Sequence, residues 1–107
     1  MHEEWHEPTR EEISLPTVLG ALADPARLAL LRALHEVGES NCGALATLSG
    51  LDLSKSTVSH HLRVLREAGV TRTEFVGTSR RVSIRQDDLE AACPGLLHAV
   101  IGSHVHA

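Results

Sequence analysis

One stretch of the chain, which begins at Ser54 and ends at Gly69, restricts the possible folds more than any other. Val58, Leu62 and Leu65 recur within it at helical spacing, so a helix here carries one apolar stripe that must be buried. The hydroxyl of Ser54 can cap the first turn, and Gly69 stands where a left-handed residue ends many helices. The sequence therefore predicts a well-delimited helix that packs along one side.

The opposite face of this helix carries hydrogen-bond donors, and its only carboxylate, Glu67, falls in the last turn. Short hydroxyls and histidine can reach base edges in a DNA groove, and lysine and arginine can meet phosphates. The alternative is an ordinary amphipathic helix with a solvated polar face. The face consists of Lys55, Ser56, Ser59, His60, Arg63 and Arg66.

Charge is unevenly distributed along a chain whose formal net charge is −4. Residues 51–85 hold seven basic and three acidic side chains, whereas residues 1–12 hold five glutamates and one arginine. Residues 86–107 hold three acidic side chains and neither lysine nor arginine. A basic third within an acidic chain is typical of a nucleic-acid footprint.

Composition bounds the class of protein. A length of 107 residues fits one domain, and the 2% of aromatic residues leaves a core of aliphatic side chains, which favours helix packing. The apolar runs are too short to span a bilayer, the N-terminus lacks the features of a signal peptide, and two cysteines do not make a disulfide framework. We therefore expect a soluble, cytoplasmic protein without a membrane partner.

The chain divides into three expected segments. Residues 1–12 are acidic and interrupted by Pro8, so we expect a mobile N-terminal arm, in which Trp5 can pack on the body or across a dimer interface. Residues 13–101 are expected to form one folded domain, and residues 102–107 a C-terminal tail.

Start and stop signals predict three helices before Ser54, over residues 14–23, 24–38 and 40–50. Val18, Leu19 and Leu22 are expected on one side of the first helix, and Leu45 and Leu48 of the third are expected to face inward. The third helix is followed by a tight turn and then by the polar-faced helix. This order is a helix-turn-helix unit, and it favours the DNA-reading interpretation of the polar face.

After Gly69 the sequence changes character. Residues 70–76 and 81–85 read as two strands joined by a turn at 77–79, which predicts a two-stranded hairpin with Arg80 and Arg81 near its tip. A last helix follows, capped by Asp87 or Asp88 and kinked or delayed by Pro94 and Gly95.

A helix-turn-helix followed by a hairpin wing resembles the ArsR/SmtB family of transcriptional repressors. The resemblance covers residues 15–101 and is carried by residues 22–34, by residues 54–70, and by Gly77 with the two arginines near the hairpin tip. It implies a fold that is mainly α with a small β-hairpin wing (α+β), a dimeric winged helix-turn-helix.

The resemblance also implies partners. Residues 15–23 and 88–101 would pack across a two-fold axis of a homodimer, and two recognition helices would enter successive major grooves of an inverted repeat in double-stranded DNA. The protein would act as a repressor that an unidentified signal releases. The expected DNA contacts are Lys55, Ser56, Ser59 and His60 from the family, Arg63 from the face it occupies, and Arg80 and Arg81 from the wing.

The sequence lacks several of the metal ligands that form the effector sites of the family. Asn41 and Gly43 stand where its cysteine ligands would lie, so that metal site is absent. The second metal site of the family leaves only weak candidates, because Glu90 and Ile101 replace two of its histidine ligands and the late histidines are expected in a solvated tail. These candidates are Asp88, Glu90, His98 and His104. We expect no resident cofactor.

Cys42 and Cys93 are weak candidates for a redox switch, since a lone cysteine is more often a small buried residue than a sensor. No catalytic motif is present, so we expect no enzyme activity. The alternative function is a winged-helix module that binds a protein partner, which would require the face from Lys55 to Arg66 to be covered.

Overall fold

The computed structural model describes residues 6–102, and in this span six helices and three strands form the fold. Trp5 and His104 lie outside the described residues. No helix within the span is long and apolar enough to cross a membrane. The elements are α1 Leu15–Leu22, α2 Pro25–Val37, β1 Glu39–Asn41, α3 Cys42–Leu48, α4 Lys55–Glu67, β2 Thr71–Val76, β3 Ser79–Ile84, α5 Gln86–Ala92 and α6 Leu96–Gly102.

Side-chain caps begin the first four helices where the sequence predicts them. Asp24 accepts from the backbone N–H groups of the first turn of α2, and Asn41 accepts from the first turn of α3. Ser14 and Ser54 do the same for α1 and α4. Each cap satisfies backbone donors that a helix cannot pair internally, so these four starting points are fixed locally by sequence.

The core is aliphatic and centred on α2. Leu30, Leu31 and Leu34 are fully buried, and the predicted stripe of α4 packs in the same cluster. One expectation about the core is wrong: Leu48 is about half exposed, at 50%, because Leu45 occupies the inward side of α3. On α1, Val18 and Leu22 are buried, whereas Leu19 is 48% exposed and does not share their side.

The sheet contains one more strand than the sequence predicts. β2 and β3 form the expected hairpin, with Phe75 opposite Arg80 and Glu74 opposite Arg81. β1 adds to the other edge of β3, with Asn41 opposite Arg81, so the strand order is β1-β3-β2. The wing is therefore attached to the body through the segment that joins α2 to α3.

The last helix is interrupted, not kinked. α5 ends at Ala92 and α6 begins at Leu96, and Gly95 between them has a positive φ of 82°. The predicted caps are wrong: Arg85 holds the N-cap position of α5, and Asp87 and Asp88 lie in its first turn. The carboxylate of Asp88 is turned toward arginine side chains instead of the helix backbone.

Residues 7–13, which we call the N-terminal strap, lie against the body, in contrast to the expected mobile arm. Ile13 is buried in the core, and both it and Pro8 lie against Gly69 at the end of α4. A Cβ atom at Gly69 would stand 2.6 Å from Cγ1 of Ile13, and the residue has a φ of 89°, so only glycine fits there. The strap therefore contacts the end of α4 directly before the first strand of the wing.

Candidate nucleic-acid interface

α4 presents its predicted polar face to solvent. Val58, Leu62 and Leu65 are at most 3% exposed and hold the helix on the core. The side chains expected to contact DNA lie on the open side: Lys55, Ser56, Ser59, His60 and Arg63 are all exposed. Their roles stay a prediction, but the geometry gives each of them access to a groove.

The hydroxyl groups of this face differ in their partners. The Oγ of Ser54 accepts from the backbone N–H of Thr57 at 3.2 Å and lies 3.2 Å from the Oγ of Ser56. Ser56 is thus oriented by the cap. Within residues 6–102, no protein group is recorded as a hydrogen-bond partner of the Ser59 hydroxyl or the His60 ring, so these two groups are available to a base edge.

His61 anchors the flank of α4 to α2. Nη1 of Arg27 lies 3.2 Å from Nδ1 of His61, and Nε of the same arginine donates to the carbonyl of Ala21 at 2.5 Å. A guanidinium can only donate, so the Nδ1 atom accepts and the ring proton sits on Nε2 in this contact. The sequence alone gives no sign of this contact, because Arg27 and His61 are 34 positions apart.

The two wing arginines lie on opposite faces of β3, because neighbouring residues of a strand alternate. The guanidinium of Arg80 stands 5.8 Å from the centre of the Phe75 ring, which holds it by a cation–π contact. Arg81 instead forms an ion pair with Glu39, with Nη1 and Oε1 3.2 Å apart. Of the two, Arg80 is the arginine with no described carboxylate partner.

Arg66 belongs to the basic surface, although sequence reasoning left it out of the predicted contacts. Burial lowers the pKa of Arg66; the charges of Glu67 and Glu7 oppose this effect, and the positive charges of Arg63 and Arg80 add to it. The signal was present in the sequence, since Arg63 and Arg66 are three residues apart on one helix face. The three arginines join the end of α4 to the wing.

The three weak metal candidates that the structure describes, Asp88, Glu90 and His98, do not come together. Both oxygens of Asp88 accept hydrogen bonds from arginines, and Glu90 accepts from the backbone N–H of Gly95. Glu90 and the exposed His98 line one hollow between α2, α5 and α6, without Asp88. Within residues 6–102, no three His, Cys, Asp or Glu side chains form a group that could hold a metal ion.

The redox candidates are both free thiols. Cys93 is buried, and Cys42 is partly buried at the start of α3. Burial raises the pKa of the Cys42 thiol, against the opposing effect of Arg80 and Arg66. A raised pKa leaves less of the reactive thiolate at neutral pH, so the environment of Cys42 does not favour a thiol sensor.

Two helices joined by a tight turn, a β-hairpin after the second helix, and a basic exposed face on that helix define a winged helix-turn-helix domain. A family described as "Helix-turn-helix domain" matches residues 22–74. The chain is 36% identical over 84 residues to the HTH-type transcriptional regulator YceK of Bacillus subtilis strain 168, which is 78% of this chain and 82% of YceK.

Solved structures agree with this class. The homodimeric winged helix-turn-helix DNA-binding domain Mb0332 of Mycobacterium bovis, described as a possible ArsR-family transcriptional regulator, is 30% identical with a TM-score of 0.66, over 85% of this chain and 81% of that one. The transcriptional repressor BigR of Xylella fastidiosa is 28% identical with a TM-score of 0.66, over 87% and 86%. The chain belongs to the ArsR family of DNA-binding, helix-turn-helix transcriptional regulators, and not to a family of enzymes.

Proposed function

We propose that this regulator is a homodimeric repressor that binds an inverted-repeat operator in double-stranded DNA and is released by a signal. The observation that carries the proposal is the exposed face of α4, where donors face solvent above a fully buried stripe. In its basic segment, residues 51–85, seven basic side chains stand against three acidic ones, whereas the rest of the chain is acidic. Proteins neutralise DNA phosphates with such segments.

The reading groups of this face are Ser59 and His60. Their open hydroxyl and ring can bond base edges in the major groove, whereas Lys55 and Arg63 reach phosphates and set the register. Fluorescence anisotropy with DNA from upstream of the gene, at fixed salt, tests this assignment. The double variant Ser59→Ala with His60→Ala is expected to lose specific binding and retain non-specific binding.

The matched control is His35→Ala, which removes an exposed histidine from α2, away from α4. It is expected to bind the operator like the unchanged protein. Unchanged operator affinity in the double variant would refute the assignment of the reading face. Equal losses in the double variant and the control would refute it as well.

A homodimer is supported by an apolar groove formed by α1, α2 and α6. Leu15 and Leu19 lie one helical turn apart on α1 and are 47% and 48% exposed. Leu19 lines a groove with Leu28 of α2 and with Ala99 and Val100 of α6. We infer that α1 and α6 of a second copy cover this groove, and that the dimer presents its two α4 helices to half-sites about 34 Å apart.

The oligomeric state tests this part of the proposal. Leu19→Glu places a charge in the groove and is expected to yield a monomer by light scattering coupled to size exclusion. Leu48→Glu makes the same change at a leucine that is equally exposed, at 50%, outside the groove, and is expected to stay dimeric. A dimeric Leu19→Glu variant would place the interface elsewhere.

The releasing signal is tested by titrating the operator complex. Because the arginines occupy both oxygens of Asp88, we expect Zn(II) and Ni(II) to leave the complex intact. Because burial raises the pKa of Cys42, we expect peroxide to act weakly if at all at that thiol. Release by a metal would contradict the first expectation, and release by peroxide that a thiol reverses would contradict the second.

A further inference from the structure

One carboxylate, that of Asp88, joins four segments of the chain. Its Oδ1 accepts from Nε of Arg10 at 2.8 Å, and its Oδ2 accepts from Nε of Arg85 at 2.9 Å and from Nη2 of Arg72 at 3.4 Å. Arg10 belongs to the strap, Arg72 to β2, and Arg85 to the corner between β3 and α5. Asp88 itself lies in the first turn of α5.

Arg85 extends these ties into the interior. Its side chain is 5% exposed, and Nη1 donates to the carbonyl of Pro8 at 2.6 Å while Nε holds Asp88. A buried guanidinium must be paired, because leaving it without partners would cost several kcal/mol. The buried charge of Arg85 and the partly buried charge of Asp88 thus hold the strap, the base of the wing and α5 together.

The strap also contacts the end of α4 and the outer edge of the wing. Oε2 of Glu7 accepts from the backbone N–H of Thr73 at 3.0 Å, on the edge of β2 that no strand covers among the described residues. Pro8 and Ile13 lie against Gly69, directly before β2. The strap therefore contacts both α4 and the β2–β3 hairpin. Asp88 holds the strap in place through its hydrogen bond with Arg10.

We propose that Asp88 is a positioning residue for DNA binding, which fixes the angle between the wing and α4 through the strap. This inference rests on the proposed function. The base of β2 lies about five residues, or about 16 Å, from the hairpin tip. A small rotation at the base is therefore amplified at Arg80, whose guanidinium must reach the phosphate backbone while α4 occupies the adjacent groove.

The test compares Asp88→Asn with Asp87→Asn. Both replace a carboxylate by an amide in the first turn of α5, but Asp87 is exposed and has no hydrogen bond recorded among the described residues. Operator affinity is measured by anisotropy over a range of salt concentrations. Asp88→Asn is expected to weaken binding about tenfold, and to flatten the log–log salt dependence by about one unit, whereas Asp87→Asn retains both.

A second readout does not require DNA. Amide hydrogen exchange of the free protein is expected to accelerate in β2, β3 and the strap of Asp88→Asn, and to stay unchanged in the central turns of α4. Arg10→Gln is a milder variant, because Arg10 is 49% exposed and Arg85 continues to hold Asp88. Arg10→Gln is expected to change operator affinity, salt dependence and hydrogen exchange in the same directions as Asp88→Asn, but by smaller amounts.

Several outcomes would overturn the inference. Equal affinity and slope in the two asparagine variants would do so, as would unchanged exchange in the wing. Weaker binding with an unchanged salt slope, matched by a lower folded fraction, would show a merely structural role. If the unchanged protein bound no operator while Asp88→Asn still released the wing, the proposed function would fail and the tie at Asp88 would stand.

Discussion

Two arginine-rich regions of this regulator differ in how their charges are partnered. The first region is the exposed face of α4 together with Arg80 of the wing, which we call the reading surface. Lys55 and Arg63 have no ion-pair partner there within residues 6–102, and Arg80 lies over an aromatic ring. At the base of the wing, Arg72 and Arg85 share the carboxylate of Asp88 with the strap. Similar side chains are therefore partnered in two different ways, which the sequence composition alone does not separate.

The difference lies in whether a carboxylate competes with DNA. An arginine without a carboxylate partner can exchange its water and counterions for a phosphate, and the released counterions favour binding. An arginine already paired at short distance contributes to the shape of the molecule and offers less to a ligand. Substitutions on the reading surface should thus change affinity at constant stability, whereas those around the strap should change stability or geometry.

The largest expected effect lies where the strap meets α4. Gly69→Ala adds a Cβ atom 2.6 Å from Cγ1 of Ile13 at a φ of 89°. Backbone strain and overpacking together should lower the free energy of unfolding by about 2–4 kcal/mol, as measured by urea denaturation.

The matched control is Gly77→Ala, at the hairpin turn. It also has a positive φ, of 63°, but a Cβ atom there meets nothing within 4 Å. Only the backbone cost of about 1 kcal/mol is expected. Equal losses in the two variants would mean that the strap does not pack against Gly69 in solution.

The second-largest expected effect concerns the stability of the protein at acid pH. The hydrogen bond from Arg10, and next that from Arg85, holds the pKa of Asp88 below its usual value. A carboxyl group whose pKa is depressed in the folded state stabilises the protein above its unfolded pKa, and this contribution is lost as the pH falls through the folded pKa.

The measurement is the free energy of unfolding of the unchanged protein and of Asp88→Asn at several pH values. The difference between them should be constant from about pH 7 to pH 5 and should shrink below about pH 4, near the unfolded pKa of aspartate. Asp87→Asn should show no comparable decrease. A difference that is independent of pH down to pH 2 would argue against the arginine ties.

Elements with local signals were predictable from sequence. The four side-chain caps and the stripe of Val58, Leu62 and Leu65 specify their helices through neighbouring residues, and the structure has them where expected. The face of α4 follows from the same periodicity. Helix starts, the buried stripe and the candidate reading surface thus required no knowledge of distant contacts.

The features that sequence reasoning missed depend on distant partners. β1 has three polar residues, without alternation, and is a strand only because β3 lies beside it. Residues 7–12 of the strap were expected to be mobile because of their acidic composition, yet Arg10 donates to Asp88, a residue 78 positions away. Asp88 was a weak metal candidate by resemblance, and its arginine partners become evident only when the fold is complete.

The smallest effect separates the two wing arginines. The ion pair between Arg81 and Glu39 is about half exposed on both sides, so it holds Arg81 weakly, yet it places a carboxylate where a phosphate would bind. Arg80 lies over the Phe75 ring and has no carboxylate partner among the described residues. Arg80→Ala should therefore flatten the salt dependence of operator binding by about one unit, and Arg81→Ala by less. Glu39→Gln removes the carboxylate that pairs with Arg81 and should steepen the salt dependence of operator binding. The reverse order of the two alanine variants would show that the β1 side of the wing faces the DNA.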